Sequence, residues 1–330
     1  MNTLLEDRYR RVLRLLPASY RAEREEEMVA AYMEVSGDIP DESNPKPLWG
    51  EIFSVAGLAL RVRLGGSGAA PRHVAWGETA RLVALLGLAF HAVFGVLVLA
   101  SYQGFSGAPH SLSRLTEIAL TLANVSWIVA FATLVRGWAR VAKVTAAAGM
   151  AGTVSTYVSL PVEPEAWMTI PSVLMVVVPV LALLAGYHRD VERPVRSWWL
   201  VLPPIAVGVA LATAFRFLPA SAIDSAAWAL PWLDVSGLAT IALLIGGLFV
   251  LRARSAPVAL ALAVLGGLTL LTRAVGLVSY PEDEVMRALW ASALVQAVLL
   301  ALMVSALAAV GRARLPRQGN IRVVESLKLT

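Results

Sequence analysis

The chain has 330 residues, 58% of them hydrophobic and 15% charged, with a mean hydropathy of +0.68. Soluble domains carry about 25% charged residues, so this much apolar sequence exceeds what one aqueous core can hide, and lipid is the expected solvent for the excess. The net charge of +5 would point to nucleic acid in a soluble chain, but the placement of the basic residues gives it a topological meaning instead, and the lack of cysteine excludes disulfides, thiolate metal sites and thiol nucleophiles.

The chain opens on charged, amphipathic sequence without the apolar core of a signal peptide, so the first span is expected to direct insertion. Residues 1–34 read as two short helices. Thr3 and Glu6 form a capping-box pattern, and Leu5, Tyr9, Val12 and Leu16 share a helical face. Pro17 stops that helix and Ser19 is placed to cap the next. Arg8, Arg10, Arg11 and Arg14 on the first helix complement Glu23, Glu25, Glu26 and Glu27 on the second, which suggests an antiparallel hairpin. Met28, Val29, Tyr32 and Met33 give the second helix its apolar face.

Gly37, Pro40, Pro45 and Pro47 mark a linker. Residues 48–64 are amphipathic, with a stripe of Trp49, Ile52, Phe53, Ala56 and Leu60 followed by Arg61 and Arg63. That pattern suits either a helix lying in a membrane interface or one packed on the hairpin. Residues 1–64 are thus expected as a small cytoplasmic helical domain and 65–81 as a linker.

Eight apolar runs follow, at 82–100, 118–135, 144–160, 168–186, 198–215, 231–251, 257–272 and 288–310. A span needs about 17–25 apolar residues, and only the run at 257–272 is marginal, though it can extend through Arg273. Of the 28 Lys and Arg, all but Arg114, Arg216, Arg273 and Arg287 fall in the N-terminal region, alternate loops and the tail 311–330. The remaining loops hold Glu163, Glu165, Asp224, Glu282, Asp283 and Glu284. The positive-inside rule therefore predicts eight crossings of a bacterial inner membrane with both termini cytoplasmic. Tryptophans cluster at the expected span ends, with Trp127 alone at mid-span. The expected fold class is all-α, a polytopic membrane helix bundle preceded by the small cytoplasmic domain.

Polar residues inside hydrocarbon are the candidate sites. His91 and Asn124, on the first and second spans, are positioned to hydrogen-bond across a helix pair, as a ligand or proton site or as helix–helix glue. Asp234, Arg273, Arg216 and Glu117 form an outer set, read as a solute pocket or as snorkelling anchors in which Asp234 pairs with Arg273 or Arg216. Ala148, Gly152 and Thr156 have the small-residue spacing of close helix packing. Pro171, Pro179, Pro203 and Pro204 are expected to bend or break their helices. The word Gly104-Phe105-Ser106-Gly107 resembles an intramembrane serine-protease motif but has no later histidine in a span, and no zinc, phosphate-loop or dinucleotide motif occurs. No paired nucleophile and base is visible, so no enzyme activity, cofactor or metal is expected.

The word Tyr9-Arg10-Arg11-Val12-Leu13-Arg14-Leu15-Leu16-Pro17-Ala18-Ser19-Tyr20-Arg21, with Glu26-Glu27-Met28 and the later Glu51-Ile52-Phe53-Ser54-Val55-Ala56-Gly57-Leu58-Ala59-Leu60-Arg61, resembles the short cytoplasmic helical domain that precedes spans in many actinobacterial membrane proteins. That domain is similar in style to HAAS-type and permease-prefix domains, which accompany PadR-type transcription regulators or transport permeases. The resemblance covers residues 4–64 and implies a regulatory, sensing or transport-associated membrane protein. The reading preferred on sequence is a sensor-like membrane protein with a cytoplasmic protein partner bound through residues 1–64 and with no nucleic acid contact; the alternative is a small-solute transporter or permease component.

Overall fold

The structure is a computed structural model and describes residues 3–37, 41–43, 45–102, 114–159, 166–188, 195–217, 227–253, 255–278 and 283–316. The Gly104–Gly107 word, Glu163, Glu165, Asp224, Glu282 and the tail from residue 317 lie outside them. Every regular element among the described residues is helical. The chain divides into two compact units, Met1–Glu78 with His188–Val191 and Leu315–Thr330, and Thr79–Tyr187 with Glu192–Arg314.

In the first unit, α1 (Leu4–Leu13) and α2 (Ala18–Ser36) precede α3 (Trp49–Arg63). Thr3 Oγ1 caps α1 by accepting the Glu6 N–H at 3.3 Å. The expected reciprocal half of the capping box gives way to an ion pair, since the Glu6 carboxylate takes Arg10 at 3.0 Å. Arg10 also reaches Glu26 of α2 with two hydrogen bonds of 2.7 and 2.9 Å, holding the Glu26 carboxyl below its ordinary range. α2 starts at Ala18 with Pro17 as its cap, so Ser19 falls inside the helix and makes no cap. The fixed φ of proline sets the chain entering the helix without a side-chain acceptor.

The core of this unit joins Tyr9, Leu13, Leu16, Tyr20 and Val29 to Val55, Ala59 and Val62 of α3. Tyr9 stacks on Tyr32 at 4.0 Å, and burial, aided by Glu51 and Tyr32, raises the Tyr9 phenol pKa. Each leucine removed fully from water here contributes about 1.5–3 kcal/mol. α3 is apolar on two faces. Its Val55–Ala59–Val62 face is buried, whereas the sequence stripe at Trp49, Phe53 and Leu60 stays outside, with Trp49 74% and Phe53 70% exposed. The segment 65–81, expected as a linker, is helical from Pro71 onward, because proline suits the first turn of a helix and the helix runs on without a break into the apolar run that follows.

The apolar runs all fall on helices: α4 (Pro71–Tyr102), α5 (Arg114–Val135), α6 (Ala139–Ser159), α7 (Ile170–Gly186), α8 (Leu202–Phe217), the single turn α9 (Leu230–Leu233), α10 (Val235–Ala253), α11 (Ala256–Gly276) and α12 (Glu284–Ala313). Five of them, α4, α5, α10, α11 and α12, are long and apolar enough to cross a membrane by length and composition. α7 and α8 are apolar but shorter, with 17 and 16 residues, or roughly 24–26 Å at 1.5 Å per residue. α6 has 21 residues, but Arg140, Lys143 and its Ala, Gly, Ser and Thr content lower its hydropathy.

In the second unit, α5 and α6 form an antiparallel pair through a three-residue turn in which Gly137 holds φ at 79°. A Cβ on Gly149 would sit 2.9 Å from the Trp127 ring, and one on Gly152 would sit 2.7 Å from Ala123 Cβ. Close approach therefore uses Gly149 and Gly152, while Ala148 faces outward. α11 and α12 pair in the same way, with Gly266 on Val304 and Gly311 on Leu260.

The prolines act differently from expectation. Pro171 lies in the first turn of α7, and Pro203 and Pro204 open α8, where a missing N–H leaves no bond unmade. Only Pro179 is interior. The run 231–251 is not one rod, since it breaks at Asp234, which has extended backbone angles.

Candidate functional site

The break at Asp234 arises from two local signals. Pro231 suits the first turn of a helix, and Asp234 is a strong N-cap. Its Oδ1 accepts the Gly237 N–H at 2.6 Å and starts α10. Gly237 lies so close to the preceding turn that a Cβ would stand 2.7 Å from Trp232 Cα, so the break also requires a residue without a side chain there. Arg273 of α11 donates to both carboxylate oxygens of Asp234, at 2.7 and 3.0 Å, and to the Pro231 carbonyl at 2.8 Å. Gln296 of α12 is fully buried and donates to the same carbonyl at 2.7 Å. Three elements thus converge on one helix break. Gln296 escaped the sequence reading because a lone amide in an apolar run has no partner within its own helix to betray it.

Asp234 pairs with Arg273. The other two members of the expected outer set are elsewhere: Arg216 is exposed near the end of α8, and Glu117 sits in the first turn of α5. No four-residue charged cluster forms.

His91 and Asn124 do not bond to each other. The His91 Nε2 lies 2.9 Å from the Met175 carbonyl of α7. A carbonyl can only accept, so Nε2 carries the proton. The reason this carbonyl is available is Pro179: in a continuous helix the residue-179 N–H would take it, and proline has none. The His91 ring also stacks on Trp127 at 4.5 Å, and the Trp127 Nε1–H donates to Thr153 at 3.0 Å. Asn124 donates to Leu120 within its own helix at 2.8 Å.

What unites these residues is a cavity of about 610 Å³ in the second unit. α4 supplies Phe90, His91 and Phe94, α5 supplies Asn124 and Trp127, α6 supplies Thr153 and Thr156, and α7 supplies Ser172 and Met175. The Asp234–Ser236 segment and Thr272 add to the lining, and Leu97, Val98, Leu120, Ala123 and Val176 give the rest of it aliphatic surface. Three of the six sequence candidates, His91, Asn124 and Asp234, therefore share one cavity, with Arg273 behind Asp234. Trp127, Ser172 and Thr272 were not legible as partners, because each reaches the cavity only once distant spans are brought together. No group of His, Asp and Glu able to hold a metal ion occurs among the described residues.

These features define an all-helical protein of membrane character, with long apolar helices and a mixed-polarity cavity among them. No protein-family model matches the chain, and neither a curated protein nor a solved structure shows significant similarity to it.

Proposed function

We propose that the chain is a regulatory, sensor-like protein of a bacterial inner membrane, crossing eight times with both termini cytoplasmic, whose residues 1–64 bind a cytoplasmic protein partner. The observation that carries this reading is the aromatic face of α3. The first unit closes its own core with Val55, Ala59 and Val62, yet Trp49 and Phe53 stand outside it as a pair with ring centroids 6.2 Å apart. Exposed aromatic side chains of this kind are favoured anchors in protein interfaces. The eight crossings are supported by α6, α7 and α8 added to the five long apolar helices, and by the alternation of arginine between loops. The resemblance of residues 4–64 to prefix-type helical domains agrees with a regulatory role. A transport role would have to use an Asp234 that already accepts from Arg273 and from the Gly237 N–H.

A pull-down from the native membrane fraction tests the partner. Wild type is expected to retain a partner that Trp49→Ala/Phe53→Ala and a chain lacking residues 1–64 both lose, and an identical set of partners from all three would end the reading. The chain has no cysteine, so single cysteines report topology cleanly. Asp283→Cys is expected to react with an impermeant maleimide on intact cells and Arg196→Cys only after permeabilisation; reaction of both from one side would refute the eight crossings.

A further inference from the structure

We infer that the cavity of the second unit is a binding site for a small, neutral, ring-bearing lipophile with at least one hydrogen-bonding group. The volume of about 610 Å³ lies within the range of roughly 300–1,000 Å³ typical of small-molecule sites. Its walls carry Phe90, Phe94, Trp127 and Met175, flat and polarisable surfaces for a ring, beside the aliphatic Leu97, Val98, Leu120 and Val176, which suit the rest of a lipophile.

The polar groups define the rest of the ligand. Asp234 is the only acid among the described lining residues, and its charge is met by two bonds from Arg273 and one from the Gly237 N–H. An uncompensated charge in the ligand would find no opposite charge left over, so the fitting ligand is neutral. Other groups retain hydrogen-bonding capacity. With Nε2–H given to Met175, the second nitrogen of a neutral His91 ring is an acceptor. Asn124 spends its amide N–H on Leu120, and its amide oxygen makes no hydrogen bond among the described residues. The Ser172 hydroxyl makes none either among those residues. An aromatic body with a donor and an acceptor, such as a phenol or a hydroxyketone, can donate to His91 or Asn124 and accept from Ser172 while its rings meet the aromatic walls. This inference does not depend on the protein partner of α3, because it concerns only the second unit.

The test uses the full chain in detergent micelles with 4-hydroxybenzophenone, a neutral two-ring hydroxyketone that inserts into nearby C–H bonds under near-ultraviolet light and prefers methionine. Peptide mass spectrometry is expected to find saturable adducts on Met175, protected by excess 1-naphthol at concentrations that leave the background labelling of outward-facing Met286 unchanged. Ser172→Phe fills the cavity and is expected to lower the Met175 adduct about tenfold, the loss expected for about 1.4 kcal/mol of binding. If that variant loses its helical circular dichroism, naphthol protection in the wild type decides alone. Labelling that rises without saturation and spreads over outward-facing sites such as Met286 would overturn the inference. So would protection by added phospholipid but not by naphthol, which would assign the cavity to a lipid tail.

Discussion

Removing the Asp234 carboxylate should harm the protein more than removing the arginine that pairs with it. Asp234 does two jobs, capping α10 through Gly237 and accepting two bonds from Arg273. Asp234→Ala deletes the cap, worth about 1 kcal/mol, and strands a guanidinium whose side chain is only 14% accessible. Breaking a well-buried pair costs about 3–5 kcal/mol, but the carboxylate side chain is 43% accessible, so the pair contributes less than that upper range. A total loss of about 2–3 kcal/mol is expected. Arg273→Met keeps the apolar stem and leaves Asp234 with its cap and its access to the cavity, so the loss should be nearer 1 kcal/mol. Asp234→Asn, as good a cap as aspartate, should fall between the two. The assay is loss of helical circular dichroism as SDS is titrated into detergent-solubilised protein, with the Asp234→Ala/Arg273→Met double variant closing a thermodynamic cycle. Equal losses for Asp234→Ala and Arg273→Met would refute the dual role, and an additive cycle would refute the pairing.

A second cycle concerns His91: His91→Ala leaves the Met175 carbonyl without its partner and should cost about 1–3 kcal/mol, and Pro179→Ala should recover part of that loss by supplying the missing N–H, whereas a further decline would contradict the assignment. Gly149→Ala and Gly152→Ala should each destabilise by about 1–3 kcal/mol from overpacking, while Gly267→Ala, with nothing within 4 Å of the added carbon, should be neutral in the same titration. In the first unit the Glu26 carboxyl is held down by Arg10, so its stabilising contribution is present above the ordinary glutamate value of about 4.3 and is lost as pH falls through the lowered folded value. Glu26→Gln should therefore reduce the hydrogen-exchange protection of Leu4–Leu13 relative to wild type at neutral pH, and the difference should vanish in strong acid; a difference that persisted there would point to packing instead.

How much could be read from the sequence depended on whether a residue's partner lay nearby along the chain. The helices were legible because continuous apolar runs leave the backbone no other way to satisfy its hydrogen bonds in lipid. The Thr3 cap was legible because it depends on a separation of three residues, and the opposite charges of α1 and α2 were legible as sets, while the choice of Glu26 as a partner of Arg10 was not. Asp234 with Arg273 was one of two foreseen pairings, and charge alone could not choose between Arg273 and Arg216. The helix break itself was hidden, because Leu230, Trp232 and Leu233 continue the apolar pattern across it. The buried side of α3 was hidden for a related reason: two apolar faces on one helix give two equal answers, and only the hairpin core at Tyr9 and Leu13 selects Val55 and Ala59. The cavity was out of reach because it is assembled from segments as far apart as Phe90 and Thr272.

The interior imino acid of α7 has a consequence beyond local bending. A rod sheathed in valine and leucine looks nearly the same from every direction to its neighbours, and dispersion forces alone distinguish its orientations poorly. One lone pair bared at Met175 gives such a rod an address that the imidazole opposite can find. Azimuth and axial height are then fixed together by one bond.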